Sequence, residues 1–361
     1  MRAPNIVELF TPTSVGLGSF TDPCAIGDDG AAPSATLAAC PRTGLTAALY
    51  NGGVNQCPAG PCSILTGGNT LLKPEVADTY TAGFVWTPTN FFGMTTRGLN
   101  FSVDYFDITV KDYISAVSPS TSLTQCLTSG SPYFCGQVRR DPQLGILFGS
   151  AGYVSNTNLN TGLLRTRGID VTANYTTRLQ AIGFGGYHPL PDWGTLAFSY
   201  VATYTDEQTT KPLPGFVPYN CRGLYGPTCG QPTPAYKHQF RATWNTPWDL
   251  AVSARWRYLS GSKLDAIQAN TNLNQGITLA DVPEDAKIGA YGYLDLSATW
   301  QIRRKVQLRV GVNNVFDRDP PVLDSNNIPV SNPAVFGNAN TFPGVYDSLG
   351  RQIFMGLTAN F

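Results

Sequence analysis

Charge is scarce in this sequence. Of 361 residues only 13% are Asp, Glu, Lys or Arg, and 24 basic residues balance 24 acidic ones. Soluble proteins carry about 25% charged residues. No basic stripe occurs beyond Arg303, Arg304 and Lys305, so a nucleic-acid partner is not expected. No apolar run reaches the roughly 18 residues of a membrane-spanning helix. Met1-Arg2-Ala3-Pro4-Asn5 lacks the apolar core of an export signal. Histidine is almost missing: His188 lies in a short turn and His238 at a strand start, both expected to face solvent. Without a His beside a nucleophile, and without a Gly-x-Ser-x-Gly elbow, Ser-His-Asp chemistry is excluded.

Other sites are absent too. Asp22, Asp28 and Asp29 lack the order of a calcium loop. Gly183-x-Gly185-Gly186 precedes no helical pattern, so it is not a phosphate cradle. Cys57-Pro-Ala-Gly-Pro-Cys62 has no second Cys or His pair beside it to complete a zinc site. The reading is of a chain that is not an enzyme and holds no cofactor or metal.

What is present is turn-forming and aromatic. Gly (37), Pro (27) and 11% aromatics point to short strands and many turns. Nine segments alternate apolar and polar residues: 79–87, 99–114, 169–176, 195–205, 239–245, 250–258, 294–303, 306–313 and 353–361. Leu250, Val252, Ala254, Trp256 and Tyr258 share one face, for example, with Ser253, Arg255 and Arg257 opposite. Segment 99–114 is irregular: Leu99, Phe101, Val103 and Tyr105 share a face, then Phe106, Ile108 and Val110 take the other. Either a bulge near Tyr105 or departure from the membrane explains the switch.

A β-sandwich also alternates, so the connections decide. Short ones fall at about 87–98, 179–193, 246–249 and 303–305; long ones at about 10–76, 115–157, 206–235, 261–290 and 318–350. The strict short-long rhythm, with strands of roughly 9–11 residues, is that of a membrane barrel. Trp86, Trp244, Trp248, Tyr258, Tyr291, Tyr293 and Phe361 sit near strand ends, as an interfacial girdle requires. The expected fold is all-β, an antiparallel transmembrane β-barrel, read as one domain over 1–361. With short turns on the periplasmic side, segment 79–87 runs inward and needs an upward partner ending near Arg2. That missing strand, with the missing signal, leads us to expect that the chain is the C-terminal portion of a longer protein.

The eight cysteines all fall in long connections. Nearest-neighbour pairing gives Cys24 with Cys40, Cys57 with Cys62, Cys126 with Cys135, and Cys221 with Cys229. Such local bridges suit an oxidising cell surface. Arg241, Arg255, Arg257, Arg303 and Arg309 are expected on the lumen side, as a hydrated wall contacting a plug or as a ligand-guiding basic stripe. Tyr50, Tyr133, Phe134, Phe148, Tyr219 and Tyr225 lie in the loops, where packing accounts for most aromatics and ligand contact for the remainder.

Several stretches carry a family resemblance. Arg2-Ala3-Pro4-Asn5-Ile6-Val7-Glu8-Leu9-Phe10 resembles the "RAP…EL-aromatic" segment of TonB-dependent outer-membrane receptors. Leu72-Lys73-Pro74-Glu75 before Thr79–Phe84 is similar to their "L-x-P-E…E-x-G", with Ala82 where Glu is usual. Val103–Ile108 resembles their "Y-x-I" strand, Arg167-Gly168-Ile169-Asp170 their "x-G-[IV]-E", and Gly311–Asp317 their "V-x-N-L-F-D". The resemblance implies the last nine strands of a barrel of about 22, with long disulfide-bearing extracellular loops and no plug domain. It implies residence in the outer membrane of a Gram-negative bacterium. It implies energy-coupled, ligand-gated uptake of a siderophore, vitamin or oligosaccharide by the parent. The implied partners are outer-membrane lipid, the barrel-assembly machinery reading Phe361, the TonB energy-transducing complex and a small nutrient. The alternatives are a plug-free passive porin and a secreted β-sandwich binding module.

Overall fold

The computed structural model describes residues 1–360 apart from 28–29, 59–60, 92–93, 96–97, 182–191, 214–215, 271–272, 274–277, 281 and 324–338. His188, Phe361, Asp28, Asp29 and the glycines at 183–186 therefore lie outside the described residues.

All nine alternating segments are strands of one sheet: β1 Val76–Trp86, β2 Leu99–Ala116, β3 Asn158–Arg178, β4 Thr195–Lys211, β5 Tyr236–Asn245, β6 Leu250–Leu259, β7 Tyr291–Arg303, β8 Val306–Asn313 and β9 Gln352–Ala359. They pair in chain order from β1 to β9, and the two-residue strand Tyr219–Asn220 adds to β4. Registers from β4 to β9 are antiparallel. Opposed residues share a face, so pairs such as Trp244 with Val252, Trp256 with Leu294 and Val310 with Met355 build one continuous apolar row. That row is left uncovered by the protein: Phe84, Trp256, Leu296, Trp300, Ile353 and Met355 are all exposed. A soluble monomer rarely exposes so large an apolar surface. Nine residues at about 3.3 Å each, tilted about 40°, rise about 23 Å, close to the ~25 Å apolar band of a membrane barrel.

β2, β3 and β4 are longer than a bilayer needs, at 18, 21 and 17 residues. The extra length explains the irregularity at Tyr105. A Cβ on Gly83 would meet Asp104 Oδ1, and one on Gly168 would meet the Phe106 ring. Asp104 and Phe106 therefore share the polar face, as an uninterrupted period of two requires. The chain does not flip there; its composition changes. Asp107 beyond it is held by Arg165 of β3 at 2.6 and 2.9 Å, and Arg167 reaches Asp206 of β4 at 2.7 Å. These ion pairs take over where the apolar-polar alternation of the strands ends.

By Cα proximity the chain forms two compact units: 1–77 with 110–163 and 212–216, and 78–109 with 164–211 and 217–361. In the first, helices α1 Ile6–Phe10, α2 Ala47–Gly52, α3 Pro119–Ser129 and α4 Pro132–Cys135 accompany a small sheet of Ser14–Ser19, Pro61–Thr66, Tyr153–Ser155 and Val138–Arg139. Ser118 caps α3 by accepting from Thr121 N–H at 3.2 Å, and Gly130 ends it at φ 66°. Leu123 and Leu127, one helical turn apart, feed two apolar clusters that include Cys57, Cys62, Cys24 and Cys40. The disulfides are Cys24–Cys40, Cys57–Cys62, Cys126–Cys135 and Cys221–Cys229. Asp22 is a structural anion: Arg140 grips it at 2.6 and 2.8 Å, both side chains being fully buried.

Candidate functional site

The second unit carries the polar face and the loops over it. Register lines the face up in cross-strand rows. Ser199, Arg241, Arg255 and Asp295 form one; Val201, Gln239, Arg257 and Tyr293 the next; Thr203, Lys237, Leu259 and Tyr291 the third. Arg241 beside Arg255 puts like charges opposite each other, which costs stability unless an acid is near. Asp295 is that acid. Its carboxylate accepts from Arg255 Nε at 2.8 Å, from Arg257 Nε and Nη2 at 2.8 and 2.9 Å, and from Asn314 N–H at 2.9 Å. Asn314 sits at φ 52°, the left-handed turn that the Asn-Asn-Val-Phe-Asp stretch supplies.

Arg257 has a second carboxylate. Its Nη1 and Nη2 donate to Asp347 at 2.9 and 2.5 Å, while its guanidinium lies 4.8 Å from the centre of the Tyr293 ring. Asp347 belongs to the connection between β8 and β9. Beside it, Phe342 and Tyr346 enter a buried cluster with Tyr225 of the β4–β5 connection and Leu264, Ala266, Val282 and Ile288 of the β6–β7 connection. Three outer loops thus share one core. Of the loop aromatics, Tyr225 is fully buried and Phe134 is buried too, as loop packing requires. Burial pushes the Tyr225 and Tyr346 phenols above their ordinary value. Asp265, which accepts from Thr228 and Cys229 N–H at 2.9 and 2.6 Å, is likewise raised by burial.

Two cavities lie between this cap of three loops and the polar face. One, of about 290 Å³, is lined by Arg255, Arg257, Asn313, Asp347 and Gln352; the other, of about 260 Å³, by Thr203, Lys237, Gln239, Arg257, Tyr293 and Val345.

The expected basic residues meet different fates. Arg255 and Arg257 are neutralised. Arg241 lies in the same row. Arg309 sits over the Phe354 ring at 5.3 Å. Arg303 leaves the row, because an irregularity between Gln301 and Arg303 sets it opposite Val306 of the apolar face. Tyr291 and Tyr293 are corrected from the girdle to the polar face, where Tyr293 is buried. His238 is corrected as well. It is no free solvent-facing ring but stacks on Tyr258 at 5.1 Å and meets Trp256 edge-on at 4.7 Å, on the apolar row. At the short-turn end Trp193, missed in the sequence, accepts from Trp244 Nε1 at 2.7 Å through its carbonyl and packs on Trp248. Asp295 was legible from its alternation; Asp347, in a long aperiodic loop, was not.

A sheet with one lipid-suited row, one charged row and structured outer loops defines a membrane β-barrel wall. The sequence profile of the family described as "TonB dependent receptor-like, beta-barrel" matches residues 1–315, and the chain belongs to that family. Similar solved structures include a mutant ferric enterobactin receptor from Pseudomonas aeruginosa (18% identity, TM-score 0.49, 83% of this chain and 33% of that one). Others are the siderophore receptor PirA from Acinetobacter baumannii (16%, 0.45, 84% and 34%) and the FrpB iron transporter from Neisseria meningitidis (16%, 0.44, 81% and 32%). The chain spans about a third of the length of these structures. No curated protein matches it.

Proposed function

We propose that this chain forms part of the wall and outer loops of an outer-membrane receptor that takes up a scarce nutrient, such as a siderophore, vitamin or oligosaccharide, with energy supplied through the TonB complex. The observation that carries the reading is the two-faced sheet: an uncovered apolar row from Phe84 to Met355, and a charged row closed over by loops. Family membership supports it. Lipid meets the apolar row. The ligand meets the polar row, which faces the lumen and keeps Arg241, Arg255, Arg257 and Arg309 away from lipid. The four disulfides belong to loops on the cell surface, where oxidising conditions keep them closed.

The test is fractionation followed by protease treatment of intact cells. The chain should be recovered with outer membranes, and externally added protease should cut in the connections at 212–235 and 314–351 but spare the turn at 246–249. Recovery as a soluble, detergent-independent monomer would overturn the reading in favour of a secreted module. Steady ion conductance in planar bilayers without any loop movement would favour a passive pore.

A further inference from the structure

The Arg257–Asp347 pair divides the space under the cap. Arg257 lines both cavities, and Asp347 lines the one of about 290 Å³. The two carboxylates on Arg257 are not equivalent. Asp295 is 6% exposed at its side chain and is also held by Arg255 and the Asn314 N–H, so it fixes the guanidinium plane. Asp347 is 26% exposed, and among the described residues its carboxylate oxygens hold only Arg257. Removing Asp347 leaves two arginines on one aspartate, a net positive seat whose Nη1–Nη2 edge is already aimed. Lys237 lines the cavity on the other side of Arg257, and no described carboxylate is paired with it.

We propose that Asp347 occupies, in cis, a seat for an anionic ligand. A small organic dicarboxylate takes the Nη edge of Arg257 with one carboxylate, displaces Asp347, and reaches Lys237 with the other. A guanidinium edge binds planar oxyanions in bidentate fashion, so exchanging one carboxylate for another leaves the charge balance of the site unchanged. Because Phe342 and Tyr346 tie Asp347 to the core shared by three loops, its release frees the cap from the wall and joins the two cavities. The inference rests on the receptor reading only in taking the polar face as the one a ligand meets.

The experiment is a calorimetric titration of the purified full chain in detergent with succinate, and with acetate for comparison. If the closed pair holds nine molecules in ten, removing the competitor tightens binding about tenfold. Asp347→Ala and Asp347→Asn should therefore both bind succinate about tenfold more tightly than the unaltered chain. Arg257→Lys should lose binding, and Lys237→Met should lose the preference for succinate over acetate. Binding that is unchanged or weaker in both Asp347 variants overturns the proposal and assigns the pair to structure alone. Should those variants fail to fold, hydrogen exchange in the unaltered chain decides. Saturating succinate should speed exchange at the backbone amides of 345–348, and no change there also overturns it. The titration needs neither transport nor a native membrane. Its failure therefore leaves the receptor reading standing, and failed fractionation does not explain it away.

Discussion

Arg2 and Glu75 are paired twice. The guanidinium Nε and Nη2 each donate to a Glu75 carboxylate oxygen at 2.8 Å, and the two backbones exchange hydrogen bonds at 3.0 and 2.9 Å. Glu75 Oε1 also accepts from Ile114 N–H at 2.9 Å. The side chain of Glu75 is nearly buried, whereas Arg2 is half exposed. Two stretches that look unrelated in the sequence, Arg-Ala-Pro-Asn and Lys-Pro-Glu, are thus halves of one clasp. Glu75→Gln removes the charge while keeping the shape. It should cost about 1–2 kcal/mol, since charge-assisted bonds are worth about 1.5–3 and solvent screens the exposed partner. Arg2 holds the Glu75 carboxyl below its ordinary value. The clasp therefore contributes fully above the ordinary glutamate range and is lost as pH falls through the depressed value. Urea midpoints across acid pH, with and without the substitution, check both points.

Gly168 gives a steric prediction. A Cβ there would lie 2.4 Å from the Tyr204 carbonyl oxygen and 2.7 Å from the Phe106 ring. The carbonyl is backbone and cannot step aside. Gly168→Ala should cost about 1–3 kcal/mol through overpacking. Gly16→Ala, which meets open space, should stay within about 0.5 kcal/mol on that ground, as surface changes do. Paired denaturation curves distinguish the two.

Phe342 tests whether three loops form one body. It is fully buried, with its ring 5.8 Å from that of Tyr225. Phe342→Ala should cost about 3–5 kcal/mol locally. Protease cutting in the connections at 217–235, 260–290 and 314–323 should accelerate together. Acceleration in the 314–323 stretch alone would show that the loops are independent.

Asp265 makes the cap sensitive to pH. Burial raises its carboxyl above the ordinary aspartate value, against the pull of the Thr228 and Cys229 N–H groups. A raised folded value means that stability is fully present below the unfolded value and falls as pH rises through the folded one. Protease resistance of the Cys221–Cys229 loop should therefore decline as pH rises from about 4. Asp265→Asn should flatten that decline.

The strands were readable because lipid on one side and polar groups on the other impose a period of two. The reading weakened wherever that constraint ended. β3 begins at Asn158, well before the alternation at Ile169, because outside the bilayer both faces meet protein or water. The small sheet at Ser14–Ser19 and Pro61–Thr66, and the core around Phe342, come from contacts between distant loops that carry no local period. Cysteine spacing was legible because short loops favour closure between neighbours. Arg255 and Arg257 were legible as polar-face residues; Asp347, the partner of Arg257 and 90 residues from it, was not.

The most direct test of the account is spin-label accessibility along β6. Single cysteines at Ala251, Val252, Ser253 and Ala254, labelled in lipid vesicles with the native disulfides closed, should alternate. Labels at positions 252 and 254 should be relaxed by membrane-dissolved oxygen and shielded from a water-soluble nickel chelate, and those at 251 and 253 should not. Equal accessibility at all four positions, or the reverse alternation, would contradict a wall with lipid on its apolar row and Arg255, Arg257 and Asp295 on its inner one.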